Sequence, residues 1–474
     1  MRTAHSKTLP PTSGEARAQK PFSLVTPILK TALLMGAGGG FLLATVLTLS
    51  LAFSASLGAW WEAVAQAHGH LQLYGWAGLF VLGVALHFLP RLRGTPLVGA
   101  RLVPWLLSMI IASLILRAVA QPLLAMGLGN LWRGVLVGSG ILETGAFVTV
   151  LCLLILTARR GPRPTTRPAY WSVFPLLCGA FCSFALASII NLVNVAQAAR
   201  GSGLVPGAGD TLNVTLGLFG FLMPMALAMS ARSLPMYAGL DGFPSRVLWP
   251  LAGVYFAGLI LLGVGVNGGP LPLPWSNLLN GIGMLLLGGV VLLFVGIFLS
   301  LIRRRGRLPE RVGKLAPSPA NLARNYQRQV KREQTHYGPF VGIVASAYLW
   351  AMLGAVLLLI DGGSLLFTGS LLVTFDAVRH SFALGFIALL ICGIAPRMLP
   401  GFSGGKILSP GLVSATLWLG NAAALLRVGS LLFAPLLAGT RGFAIDTFLF
   451  SLSGPFGLAL AICLAINLWP ALRA

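Results

Sequence analysis

Apolar runs of about 20 residues recur along the whole chain, broken by short stretches rich in Gly, Pro and Arg. A run of that length crosses about 30 Å of hydrocarbon as an α-helix, so the pattern predicts twelve membrane spans. They fall near 28–54, 63–89, 100–124, 133–158, 170–198, 211–234, 246–266, 277–302, 338–361, 368–399, 409–435 and 443–469. The fold class is all-α integral membrane. Residues 1–27 read as a disordered basic tail, and their first twenty lack the apolar core and cleavage site of a signal peptide. Residues 303–337 form a basic polar loop that divides the chain into eight spans over 28–302 and four over 338–474.

A repeat underlies the twelve spans. Three helices end in the same Leu-Pro signal at the cytoplasmic side: Leu89-Pro90, Leu234-Pro235 and Leu399-Pro400. Twenty residues before each proline stand His70, Thr215 and His380; fifteen before stand Gly75, Gly220 and Gly385. Twenty-seven residues after each stand Arg117, Leu262 and Arg427. The copies fall on spans 2, 6 and 10, which predicts three four-helix pseudo-repeats, with His and Arg kept in the first and third.

Composition closes off the soluble alternatives. Of 474 residues 56% are hydrophobic and 9% charged, and mean hydropathy is +0.87, too little polar surface to coat a soluble globule. The net charge of +23 would hint at nucleic acid in a soluble protein, yet its distribution excludes that partner. If the N-terminus is cytoplasmic, 27 of the 33 Lys and Arg lie on its side of the membrane. That bias puts both termini in the cytoplasm, and the excess charge serves topology and attraction to an anionic lipid bilayer. The exceptions are Arg117, Arg133, Arg200, Arg379, Arg427 and Arg441. The five Cys all lie within spans and imply no disulfide framework.

Ionisable groups inside spans are costly and mark function. A rise of 1.5 Å per residue lifts His70 and His380 about 30 Å above their prolines, near the outer surface. Two imidazoles at one depth on different helices suit axial ligation of a heme iron. Arg117 and Arg427, with Arg441 in the adjoining outer loop, suit the propionates. Gly75 and Gly385 would let a macrocycle or another helix approach. His68 lies about 200° round the helix from His70 and cannot share its pocket. It is the candidate for a second metal, copper, or for an interfacial hydrogen bond.

The stretch His68-Gly-His70-Leu-Gln-Leu-Tyr-Gly75-Trp, running to His87-Phe-Leu-Pro90-Arg91, resembles the His-x-His helix of the NnrS family. Arg379-His380-Ser-Phe-Ala-Leu-Gly385 and Arg427 fit that family's second element. The resemblance implies a twelve-span protein of the bacterial inner membrane that binds heme and copper and acts in nitric oxide stress or denitrification. It implies a b-type heme and leaves room for a redox partner or an oligomer. More distantly the chain is similar to subunit I of heme-copper oxidases, and matching position assigns His70 and His380 as heme ligands. Spans 6 and 7 contain no His, so the ligands for a binuclear oxygen or nitric oxide reduction centre are missing. The alternatives are a divergent oxidase or nitric oxide reductase-like subunit and a heme-free twelve-helix transporter.

Overall fold

The computed structural model describes residues 22–53, 55, 58–163, 168–238, 242–266, 271–304, 328 and 331–473. Most of the predicted tail and of the 303–337 loop lies outside them. All regular structure among the described residues is helical. Twelve helices are long and apolar enough to cross a membrane. Spans 1 to 6 are Thr26–Ala52, Ala59–Arg93, Ala100–Ala125, Leu131–Arg160, Phe174–Arg200 and Gly207–Pro235. Spans 7 to 12 are Ser245–Val266, Leu273–Arg303, Phe340–Thr368, Phe375–Ser403, Pro410–Leu437 and Gly442–Leu468.

Spans 2, 6 and 10 form the centre. Of their most apolar stretches 78, 83 and 78% is buried, against 28 to 44% in the other nine. Span 6 packs directly against both of its central neighbours, and spans 3–4–5, 7–8–9 and 11–12–1 run as packed outer series. Lipid tails are as apolar as leucine, so contact between these helices rests on close approach of small residues. A Cβ on Gly283 of span 8 would stand 2.8 Å from the Gly258 carbonyl of span 7. One on Gly288 would stand 2.8 Å from the Ala355 carbonyl of span 9.

The central helices carry matching irregularities. Each contains a π-helical stretch: Leu71–Gly78, Leu216–Leu222 and Ser381–Ala388. Each begins one residue after His70, Thr215 or His380. Such stretches mark functional sites because they re-aim the residues around them.

In spans 2 and 10 the Leu-Pro pair does not end the helix. Span 2 continues past Pro90 until Gly94 takes a left-handed φ of 64°, and span 10 continues past Pro400 until Gly404 takes 75°. The Thr95 N–H then caps the Pro90 carbonyl at 3.0 Å. A proline in a last turn removes one N–H at the membrane surface, where water can satisfy the freed carbonyl. Nearby, buried Arg93 ties spans 2 and 4 together: its Nε donates to the Ala158 carbonyl at 2.8 Å and its guanidinium lies over the Tyr170 ring. Burial pushes the Tyr170 phenol above its usual range, and Arg93 partly offsets this.

Candidate functional site

Between spans 2 and 10 lies a cavity of about 460 Å³, walled also by spans 1, 6, 11 and 12. Its two ends differ in chemistry. Toward the starts of spans 2 and 10 it is lined by His68, Asp210, Asp376, Arg379, His380 and Arg427. Eight residues further along each helix, about 12 Å at 1.5 Å per residue, the lining is apolar, with Trp76, Leu384, Ile387 and Ala388.

Both histidines in this cavity are fixed through the same ring atom. His68 Nδ1 donates to the Gly40 carbonyl at 2.7 Å. Gly40 belongs to a π-helical stretch of span 1, Gly36–Phe41, whose glycines let spans 1 and 2 meet closely. His380 Nδ1 lies 3.0 Å from its own helix carbonyl at Asp376 and 3.2 Å from Asp376 Oδ1. The other carboxylate oxygen, Oδ2, accepts from Arg427 Nη2 at 2.8 Å. Among the described residues neither imidazole Nε2 has a hydrogen-bond partner. A proton on Nδ1 leaves Nε2 as a lone-pair donor, the tautomer that binds metals. Two arginines flank His380, with Arg427 over the Phe450 ring at 4.4 Å and Arg379 over the Phe375 ring at 4.9 Å.

His70 belongs to a second polar centre, enclosed by spans 2 to 5. Its Nε2 donates to Glu143 Oε2 at 2.9 Å, and its Nδ1 accepts from Arg117 Nη1 at 3.1 Å. Arg117 also donates to Asn191, and Asn191 donates to Glu143 Oε1 at 3.1 Å. These four side chains are at most 4% exposed. Gln121 extends the network from Arg117 to Gln66 at 2.6 Å, and Gln66 pairs with both main-chain groups of Val205. Opposite charges and shared hydrogen bonds close this centre on itself. His70 has no ring nitrogen left for a metal.

The sequence pairs His70 with His380 and sets His68 aside; in the structure His68 shares the cavity with His380. The expected separation of His68 from His70 holds, with His68 on the cavity wall and His70 in the closed centre. Arg117 accompanies His70 away from the cavity, whereas Arg427 lines it. Arg441 precedes the first turn of span 12, exposed, and is not part of the cavity wall. Gly75 meets Leu114 and Met35, and Gly385 meets Trp350, so both serve helix packing and neither borders the cavity. Among the described residues no group of three or more His, Cys, Asp or Glu could hold a metal ion. Arg379, Asp376 and Gly40 are the residues that the repeat arithmetic missed. One signal was available for Asp376: it stands four residues before His380, on the same helix face. The facing sides of spans 6 and 10 meet through aromatic rings, Phe219 against Phe382 at 5.3 Å between centroids.

No protein-family model matches the chain, and no curated protein matches it. Among solved structures it is similar to a heme-copper terminal oxidase determined as a dimer by cryo-electron microscopy, with a TM-score of 0.66. Identity is 13%, over 96% of this chain and 84% of that one. At such identity the likeness is one of fold: the helices follow the same arrangement.

Proposed function

We propose that this chain is a heme-binding integral membrane protein in which His68 and His380 would hold the heme iron and Arg379 and Arg427 would meet the propionates. One observation carries the reading: two imidazoles from different helices share one cavity, each with Nδ1 engaged and Nε2 left over. The cavity of about 460 Å³ falls within the roughly 300–1,000 Å³ of ligand sites. Its apolar depth suits a macrocycle, and its arginine end suits carboxylates. The fold's likeness to a heme-copper oxidase supports the same group.

Heme would supply a one-electron couple there, which needs a redox partner. Held by both His68 and His380, the heme would serve electron transfer or sensing rather than turnover. The sequence has no Cys-x-x-Cys-His attachment motif, which favours a b-type heme. Copper finds less support: the heme takes His68, and both nitrogens of His70 are engaged. The finer reading is an NnrS-like role in nitric oxide stress, in a bacterial inner membrane, with both termini cytoplasmic. Three four-helix units complete it, supported by the matched π-helical starts and by the parallel pairs His70–Arg117 and His380–Arg427.

The test is the absorption spectrum of detergent-purified protein with a pyridine hemochrome assay. The expected result is one b-type heme per chain, lost in both His68→Ala and His380→Ala. Absence of a Soret band in the wild type, or one unchanged in both variants, overturns the reading. The nitric oxide role stands if cells lacking the chain lose nitric oxide tolerance and regain it with the wild type but not with His380→Ala.

A further inference from the structure

The two cavity histidines are held by chemically unequal partners. His68 Nδ1 donates to a neutral main-chain carbonyl, Gly40 O at 2.7 Å. His380 Nδ1 is held by the main-chain carbonyl of Asp376 at 3.0 Å and also faces its carboxylate, at 3.2 Å to Oδ1. That carboxylate does not end at the histidine. Its second oxygen is bound to Arg427 on the neighbouring span at 2.8 Å. Asp376 therefore bridges the imidazole of one helix and the guanidinium of the next, on the wall of a shared cavity.

We propose that Asp376 is a positioning residue that sets the reduction potential of the bound heme, by placing its charge behind one axial imidazole and not the other. The inference rests on the heme reading above and deepens it. A carboxylate behind a ligating imidazole raises its basicity, and a more basic ligand stabilises the ferric over the ferrous state. The main-chain carbonyl at position 376 survives any substitution there, so the ring keeps one anchor when the charge is removed. Orientation and electronics can thus be separated at this residue.

The experiment is a redox titration of the full-length purified protein, followed at the heme α-band. Dithionite donates the single electron that converts Fe(III) to Fe(II), and ferricyanide removes it to return Fe(III). In Asp376→Asn the ratio of reduced to oxidised heme at fixed potential should rise about tenfold, which for a one-electron couple is about 59 mV. The two-imidazole spectrum should persist. Asp376→Glu, which restores the charge, should return the ratio to within about threefold of wild type. Asp376→Thr is a second neutral replacement, so that the result does not hang on the folding of one variant. Asp210→Asn removes a carboxylate from the same cavity wall without touching an imidazole and should move the ratio far less. An unchanged potential in both neutral variants with the spectrum intact overturns the inference alone, as does an equal shift in Asp210→Asn. A wild type without a heme band overturns the inference together with the reading beneath it.

Discussion

His68 and His70 stand two residues apart on one helix and serve different interiors. His68 is tied to the Gly40 carbonyl of span 1 and lines the cavity with His380, while His70 is locked between Glu143 and Arg117. Two residues turn an α-helix by about 200°, so neither side chain can stand in for the other. One imidazole keeps a free nitrogen facing a ligand-sized space; the other spends both nitrogens on protein.

Alanine at the two positions should therefore give opposite phenotypes. His68→Ala should remove the heme band and leave the fold intact. His70→Ala should keep the band and lower thermal stability, because it strips Glu143 and Arg117 of a shared partner. Paired absorption spectra and melting curves in detergent check both. Loss of heme in His70→Ala with retention in His68→Ala would restore the assignment made from the repeat.

The closed centre around His70 should be sensitive to losing one charge and tolerant of losing both. Arg117→Met leaves the buried Glu143 carboxylate without the cation linked to it through His70 and Asn191, and stranding a buried charge costs about 3–5 kcal/mol. Glu143→Gln in the same chain removes the stranded charge and should recover most of that loss. A double-mutant cycle on melting temperature measures the coupling. Additive effects would mean that the two side chains do not interact.

Much of the architecture is legible in the sequence because it is local. Length and apolarity place the spans, and every predicted span overlaps an observed one. The site is only half legible, for a geometric reason. Counting back from the prolines finds residues in equivalent positions, such as His70 and His380. On the three-unit reading, equivalent positions of rotationally related units face separate pockets. Arg117 and Arg427 behave the same way, each beside its own histidine. The imidazole that shares a cavity with His380 comes from a different register, at His68. Glu143 and Asn191 carry no spacing signal, since their contacts with span 2 or span 3 bridge more than 70 residues of chain. The Gly-Ala-Gly-Gly-Gly run of 36–40 was the unread clue, because it is the surface against which His68 is fixed.

Gly75 and Gly385 occupy the same repeat position and should differ sharply when changed to alanine. A Cβ at Gly75 would meet its neighbours at 3.4–3.5 Å, an ordinary contact. A Cβ at Gly385 would stand 2.5 Å from Trp350 Cγ. That indole cannot easily retreat, because its Nε1 donates to Asn421 Oδ1 at 2.9 Å. Overpacking of this kind costs about 1–3 kcal/mol. Gly385→Ala should lower the melting temperature, Gly75→Ala should leave it nearly unchanged, and Trp350→Leu should rescue the former.

The two arginines at the charged end of the cavity should govern retention of the heme. Arg379 and Arg427 both line the space and both lie over aromatic rings, which hold the guanidinium planes in place. Charge-assisted hydrogen bonds contribute about 1.5–3 kcal/mol each, and 1.4 kcal/mol is a factor of ten in affinity. Arg379→Gln and Arg427→Gln should each speed heme loss to apomyoglobin about tenfold or more, with the axial spectrum unchanged before loss. Arg427→Gln should also move the reduction potential, because it releases the Asp376 carboxylate that His380 shares. Arg117→Gln lies outside the cavity and should change stability without changing the rate of heme loss. If Arg117→Gln were the variant that lost heme fastest, the propionates would lie at the His70 centre, and the assignment of the cavity would fall with that result.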